Sequence, residues 1–300
     1  MKISVIFITY ERPEELLLAL ESVVSQTRVP DEVIVVDNSN TDSVSESFSQ
    51  IGTEIGVYDF PICYKRMEEN LGVAGGRNKG IELSSGDVNV FLDDDAVFFD
   101  NSVLEKTEIE FEKDPALGVI AYKSIDYHSG EVRPWELPIR NKAQHSIAQE
   151  VSYYVGVGHA IRKDVFSRVG RYSVDSLYGA EELDLSYRIM ETNYSIMYFP
   201  DMVVRHMKAD VGRAPMRENL VSLIDARLTI SIRYFPLWIA FPSSFAYLML
   251  VMLSYKTIGL RLIAAAINPW IKLMKGEINR NLLTGRAIKR IRSLEGRVFY

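Results

Sequence analysis

The stretch DVNVFLDDDAVFF, Asp87 to Phe99, runs the apolar residues Val88, Val90, Phe91 and Leu92 directly into three aspartates, Asp93, Asp94 and Asp95. The apolar run reads as a buried strand. Three adjacent carboxylates raise one another's pKa and destabilise a fold unless a cation or hydrogen bonds compensate. The triplet is therefore either a solvated acidic turn or a site built for a divalent metal. Donors made of oxygen alone suit a hard ion, magnesium or manganese, and such ions take up substrate phosphates, so a nucleoside diphosphate is the natural bridging ligand. A lone D-x-D is expected about once by chance in a chain this long, so the surrounding sequence has to decide.

Before the triplet, strand and helix patterns alternate. ISVIFI from Ile3 reads as a first strand, and Pro13 opens a helix whose Leu16, Leu17, Leu20, Val23 and Val24 share one face. EVIVVDNSN from Glu32 is a second buried strand reaching Asp37, ICYKR from Ile62 a third, and VNVFL from Val88 a fourth. Apolar rather than half-polar strands, alternating with helices, predict an α/β domain with a mainly parallel sheet. Ligands bind beyond the carboxyl ends of such strands. Thr9, Glu11, Asp37 and Asp93 to Asp95 all fall at such ends, so one sheet edge gathers them. Between the third and fourth strands, ENLGVAGGRNKGIELSSG supplies a glycine-bearing loop, a helix and a turn. Gly72, Gly75 and Gly76 can let backbone approach a ligand, Arg77 offers a forked cation to phosphate, and the helix points its N-terminus the same way. The spacing matches neither G-x-G-x-x-G nor the Walker loop, which excludes a dehydrogenase and a P-loop enzyme.

Past residue 100, NSVLEKTEIEFEK reads as a helix, LGVIAYKSI as a strand, EELDLSYRIMETN as an amphipathic helix, and SIMYF and MVVRH as two further strands. SYYVGVGHAIRKDVFSRVG suggests a strand, a turn, a strand and a short helix, with no pattern to assign to GHAIR around His159. Residues 126–150 have no clean period and read as a long loop, of the kind that carries function in compact domains. Asp184 and Arg188 are spaced to pair on a helix. Glu181 and Glu182 at that helix's start also suit its dipole. Trp135 and Tyr178 are candidates for stacking a sugar.

The 300 residues, 47% hydrophobic and 25% charged, describe a globular chain of one large domain with an appendage. One cysteine, Cys63, leaves no intramolecular disulfide and fits a reducing compartment. The N-terminal apolar run is too short for a secretory signal, so a cytoplasmic body is expected. From Lys256 to Tyr300 ten Lys/Arg face two Glu, a balance of +8, which leaves −14 on residues 1–255 of the net −6. An acidic body with a basic tail implies different partners for the two parts; no nucleic-acid partner is expected. Tyr234 to Tyr255 holds no charged residue in 22 positions, near the ~20 that cross a bilayer, although Pro236 and Pro242 weaken a spanning helix. The composition shift places a boundary near residue 215.

The strings SVIFITYERPEELLLALESVVSQT, EVIVVDNSN, ENLGVAGGRNKGIELSSGDVNVFLDDD and AEELDLSYRIMETNYSIMYFPDMVVRH, in this order, resemble family 2 glycosyltransferases of the GT-A fold, particularly the rhamnosyltransferase-like branch. The resemblance spans about residues 3 to 235. It implies a GT-A domain over 1–215, with nucleotide-sugar binding in 1–100 and acceptor and catalytic functions in 101–215; the uncharged stretch and basic tail add the expectation of a helical, membrane-associating extension over 216–300. It implies that Thr9, Glu11 and Asp37 line the nucleoside pocket and that Asn70 and Arg77 lie along ribose and diphosphate. Asp93 and Asp94 then hold ribose and metal, Asp95 is the principal ligand of Mn2+ or Mg2+, and His206 reaches the same ion. The EELD pair falls at the catalytic base, with Glu182 favoured over Glu181; many relatives have an Asp in this pair.

The expected activity is inverting transfer of a hexosyl or rhamnosyl unit from a UDP- or dTDP-linked donor to a saccharide or lipid-linked acceptor, in cell-surface polysaccharide or glycolipid synthesis. The expected setting is the cytoplasmic face of an anionic membrane, as a peripheral protein and a homo-oligomer. Two rivals remain at this point. VFLDDDAV fits a D-x-D phosphatase with Asp93 as nucleophile and Asp95 as acid/base, though that motif normally ends a first strand. A catalytically silent, membrane-associated GT-A partner protein is the other.

Overall fold

The computed structural model describes residues 1–54, 60–174, 179–209, 216–255, 259–296 and 298. Tyr178, the boundary near residue 215 and Lys256 lie outside them. Strands β1 (Ile3–Thr9), β2 (Glu32–Asp37), β3 (Ile62–Arg66) and β4 (Val88–Leu92) pair in parallel in the order β3-β2-β1-β4. They are connected through helices α1 (Pro13–Val24), α2 (Ser43–Glu54) and α3 (Gly72–Leu83). On β1, Val5 and Phe7 enter one core layer with Leu16 and Leu20 of α1, while Ile6 enters the other with Ile81 of α3. Burial on both faces is why these strands are apolar throughout.

Beyond β4 the sheet becomes mixed. It continues through β8 (Gly158–Arg162), β6 (Leu117–Asp126), β9 (Ser195–His206) and β5 (Ala96–Phe98), with β7 (Gln149–Glu150) on β9. Helices α4 (Val103–Lys113), α5 (Lys163–Val169) and α6 (Glu181–Met190) flank this half. Residues 195–206 form one strand where the sequence suggests two. Pro200 lacks an N–H, and the ladder with β6 absorbs it as an irregularity in which Tyr122 pairs Phe199 and the next residue, Lys123, pairs Val203.

The glycine-rich stretch also folds differently from the loop expected. Gly75 and Gly76 lie inside α3, and a Cβ on Gly76 or Gly80 would stand 2.7 Å from Ile8 Cγ2 or 2.4 Å from Ile6 Cγ2. These two glycines, four apart, let α3 close on β1 rather than bring backbone to a ligand. Gly80→Ala should therefore destabilise by about 1–3 kcal/mol through overpacking. In an open helix the same change stabilises by about 0.5–1 kcal/mol. The sign of the shift in thermal unfolding distinguishes the two.

The C-terminal helices α7 (Met216–Tyr234), α8 (Leu237–Ser254), α9 (Leu260–Met274) and α10 (Gly285–Ser293) are not free-standing. Tyr234, Phe235, Ile239, Ala287 and Ile291 share a core cluster with Ile6 and Phe91. Buried Asp184 accepts hydrogen bonds from Tyr234 at 2.8 Å and Arg233 at 3.0 Å and pairs with Arg188 at 2.8 Å, which ties α6 to α7. The Asp184–Arg188 pairing expected from spacing is thus a structural one.

Candidate active site

The parallel register brings Thr9 beside Asp37, and Leu92, the last residue of β4, pairs with Gly158 of antiparallel β8. Strand ends, the aspartate triplet and the Gly156–Val157 turn therefore meet at one sheet edge. They bound a cleft of about 800 Å3 whose lining includes Thr9, Asn70, Arg77, the aspartate triplet, Glu181, Glu182 and His206.

The triplet is a tight turn in which Ala96 N–H donates to Asp93 O at 3.0 Å and Asp93 N–H donates to Val157 O at 3.0 Å. Ala96 pairs with His206 across β5 and β9, which delivers the histidine to the turn. Ligand atoms of Asp93, Asp95 and His206 lie within 4.8 Å of one another. His206 Nε2 is 3.3 Å from Asp95 Oδ1, and its Nδ1 is 3.0 Å from Glu136 Oε2, which also accepts from Ser124 Oγ at 2.6 Å. Burial opposes charge on His206, but its hydrogen bonds to Asp95 and Glu136 prevail and lift its pKa to about 9. Burial, reinforced by repulsion from Asp95 and Asp94 and opposed by Arg77, raises Asp93 to about 7. Two carboxylate donors and an imidazole, with like charges crowded together, fit a divalent cation. Asp94 turns away from this group to Arg12, whose guanidinium is 2.8 Å from Asp94 and 3.3 Å from Asp95. Burial, opposed by Arg12, raises Asp94 to about 6.

Arg77 is 3% exposed. Its guanidinium donates to Glu182 Oε1 at 2.6 Å and to Gly156 O at 3.3 Å, lies 3.6 Å from Asp93, and sits over the Tyr172 ring at 5.3 Å. The fork that the sequence expectation set along ribose and diphosphate lines the cleft and there bridges the aspartate turn and Glu182. A Cβ on Gly156 would stand 2.1 Å from Glu182 Oε1 and 2.6 Å from an Arg77 terminal nitrogen, so a side chain there would push these two groups aside. Beneath this bridge lies His159, whose pKa burial and Arg77 push well below its ordinary value. A neutral imidazole has one N–H, and Gly156 O, 3.2 Å from Nδ1, can only accept it, so Nε2 accepts from the Tyr172 hydroxyl at 2.9 Å. Tyr154 donates to the same hydroxyl at 2.9 Å. The unassigned GHAIR motif is this packed support.

Glu181 and Glu182 open α6, as their sequence position suggests. Glu181 is 5% exposed and accepts its neighbour Ala180 N–H at 2.9 Å. Burial and then repulsion from Glu182 raise its pKa from 4.5 to about 7 despite Arg77. A raised folded-state pKa means that the folded chain holds this proton more tightly. The associated stability is full below about pH 4.5 and is lost as pH rises through about 7, at up to about 1.4 kcal/mol per unit. Glu181→Gln should thus raise the melting temperature of the ligand-free protein near pH 8 and leave it nearly unchanged near pH 4.5. Equal shifts at both would contradict the assignment.

Glu11 and Asp37 lie beside the cleft, outside its described lining. Glu11, at φ 56°, accepts from the N–H groups of Asn40 at 2.8 Å and Thr41 at 2.9 Å. Fully buried Asp37 accepts from Ser39 N–H at 2.8 Å and from the Tyr64 hydroxyl. Both carboxylates organise the loops beside the cleft. Asn70 accepts from Gly72 N–H at 2.8 Å at the start of α3. Trp135 is 69% exposed at the cleft.

Sequence reasoning missed Arg12, Glu136, Gly156, and Asn219 and Arg227, which reach the cleft from α7. Arg12 carried a signal, since it follows Thr9 and Glu11 at a strand end. Glu136 carried none, lying in a stretch without period.

This mixed α/β sheet, with its cleft at the carboxyl end of the central strands, has the GT-A fold of solved glycosyltransferases. The mannosyltransferase PcManGT from Pyrobaculum calidifontis, solved with GDP-Man and Mn2+, superimposes with a TM-score of 0.60 at 17% identity, covering 98% of this chain and 84% of that one. S. aureus TarS 1–349, solved with UDP-GlcNAc, gives 0.63 at 16% identity, covering 98% and 84%. The glycosyl transferase family 2 pattern matches residues 4–170, and the chain belongs to that family. Among curated relatives, the glucosyl-dolichyl phosphate glucuronosyltransferase of Haloferax volcanii is 29% identical over 222 residues, 69% of each chain. Membership in this family removes the phosphatase reading of Asp93 to Asp95.

Proposed function

We propose that this protein transfers a sugar, with inversion, from a nucleoside-diphosphate donor to a hydroxyl of a saccharide or lipid-linked acceptor, using Mn2+ or Mg2+. The observation that carries the reading is the convergence of Asp93, Asp95 and His206 within 4.8 Å at the cleft that Glu181 and Glu182 also line. The donors named for PcManGT and TarS, and the Mn2+ named for PcManGT, support the donor class and the ion. The name of the Haloferax relative supports a lipid-linked saccharide as acceptor, and a hexosyl or rhamnosyl unit is the sugar class the sequence resemblance implies.

Asp93, Asp95 and His206 would hold the ion, with Glu136 fixing the imidazole through Nδ1. When bound, the ion supplies positive charge that stabilises the departing diphosphate. Glu182 removes the proton of the acceptor hydroxyl as its oxygen bonds to the anomeric carbon. The bond from that carbon to the phosphate oxygen breaks, and its electron pair leaves with the nucleoside diphosphate. Arg77 and Gly156 hold the base carboxylate in place. Thr9, Asn70, Trp135, Asn219 and Arg227 line the same cleft, and in this reading the first two face the donor and the last three the acceptor.

Incubation with radiolabelled nucleotide sugars, Mn2+ and lipid-linked or free saccharide acceptors tests this reading. Release of nucleoside diphosphate matched by a labelled glycoside is the expected result. Release of inorganic phosphate alone, or no turnover with any donor that binds, overturns it.

A further inference from the structure

Helices α8 and α9 carry an apolar face that the cleft chemistry does not use. Of the 22 large apolar side chains exposed among the described residues, 12 lie on these two helices, which comprise 33 residues. So strong a concentration marks a surface rather than scattered exposure. On α8, Trp238, Phe241, Phe245 and Leu253 are each 68–70% exposed and recur at intervals of three, four and eight, a single helical stripe. On α9, Leu260, Ile263, Ile267, Ile271 and Met274 form a second stripe, with Leu260 85% exposed. Phe241 meets Trp270 at 5.5 Å, so the two helices join along this side.

The opposite sides face protein. Ser244 donates to Ala240 O at 2.8 Å and accepts from Trp270 Nε1 at 3.2 Å, while Tyr247, Val251, Leu262 and Ala265 pack on Leu220, Ile224 and Leu228 of α7. Helix α8 is long and apolar enough to cross a bilayer, but Pro242 lies within it and a third of it is buried against the protein. A helix packed along one side and aromatic along the other suits the plane of an interface.

We propose that α8 and α9 form a docking face for an anionic membrane, lying at the boundary between headgroups and acyl chains. Charge selects this occupant. Arg261 and Lys275 are exposed on and beside α9, Lys275 at 4.0 Å from Glu277 and Lys272 of α9 paired with Asp225 at 3.0 Å, and the segment they belong to is basic by eight charges while the rest of the chain is acidic. An isologous contact with a second copy would set this positive surface against itself; an anionic leaflet complements it. Helix α7 connects this face to the chemistry, since its Leu220, Ile224 and Leu228 pack under α8 and α9 while its Asn219 and Arg227 line the cleft. One helix diameter, about 10–12 Å, then separates the membrane from the acceptor side.

Flotation of the full-length protein with phosphatidylglycerol-containing vesicles, neutral vesicles and no vesicles tests the proposal, with the variant Phe241→Glu/Phe245→Glu in parallel. Circular dichroism and Mn2+-dependent nucleoside diphosphate binding on the same samples report fold and donor site separately. The protein should float with anionic vesicles at low salt and partially at high salt, where only the charge component is screened. The folded variant should partition about tenfold more weakly or worse. Failure of the full-length protein to float, equal flotation of the variant, or a dimer in solution that the variant dissociates overturns the membrane assignment, and intact donor binding in any of these cases leaves the cleft reading standing.

Discussion

Asp95→Ala removes metal-dependent nucleoside diphosphate binding while the protein stays folded. Asp95 offers one oxygen to the group formed with Asp93 and His206, and its other oxygen accepts Ala209 N–H at 2.9 Å. The backbone anchor survives the change, because Met207 N–H donates to the Asp95 carbonyl at 2.8 Å. Residues that merely orient a metal ligand cost about 10–100-fold in metal affinity when changed, so loss of a ligand should exceed that. Asp95→Asn separates chemistry from structure: its amide oxygen can still accept from Ala209, but the charge is gone. Calorimetric titration with Mn2+ and a nucleoside diphosphate should show both variants defective. Wild-type binding in either would remove Asp95 from the donor site.

The second large effect falls on turnover. Glu182→Gln should lower kcat by roughly 10²–10⁴, the range for loss of a general base, with little change in donor binding. The amide oxygen still accepts from Arg77, so the side chain keeps its place beside Gly156. Glu181 is the competing base, and its pKa of about 7 would suit the task. Its geometry suits it less: each carboxylate has one oxygen already engaged, Glu181 by Ala180 N–H and Glu182 by Arg77, but the Glu181 side chain is 7% exposed against 14% for Glu182. A larger loss of kcat in Glu181→Gln than in Glu182→Gln would reverse the assignment.

The parallel half of the sheet was legible because burial on both faces leaves uninterrupted apolar strands, and strand ends then predict which polar residues meet. Asp93, Asp95 and His206 came together as that logic and the family resemblance required. What stayed hidden depends on partners distant in the chain. Gly76 suggests backbone approach to a ligand until Ile8 is seen against it. Nothing local to Arg77 announces Glu182, 105 residues away, as the acceptor on its guanidinium. Pro200 suggests a strand break because a β-irregularity leaves no mark in composition. The uncharged stretch at residues 234–255 revealed an apolar helix but not which side the protein covers.

Donor binding at this cleft depends on where the ion sits. Crystals grown with MnCl2 and a nucleoside diphosphate, measured at the manganese absorption edge, should give one anomalous peak in the cleft at ligating distance from Asp95 and His206, with diphosphate oxygens on its open side. A peak elsewhere, or an ordered diphosphate with no peak beside those residues, would contradict the metal-dependent donor site at the centre of this reading.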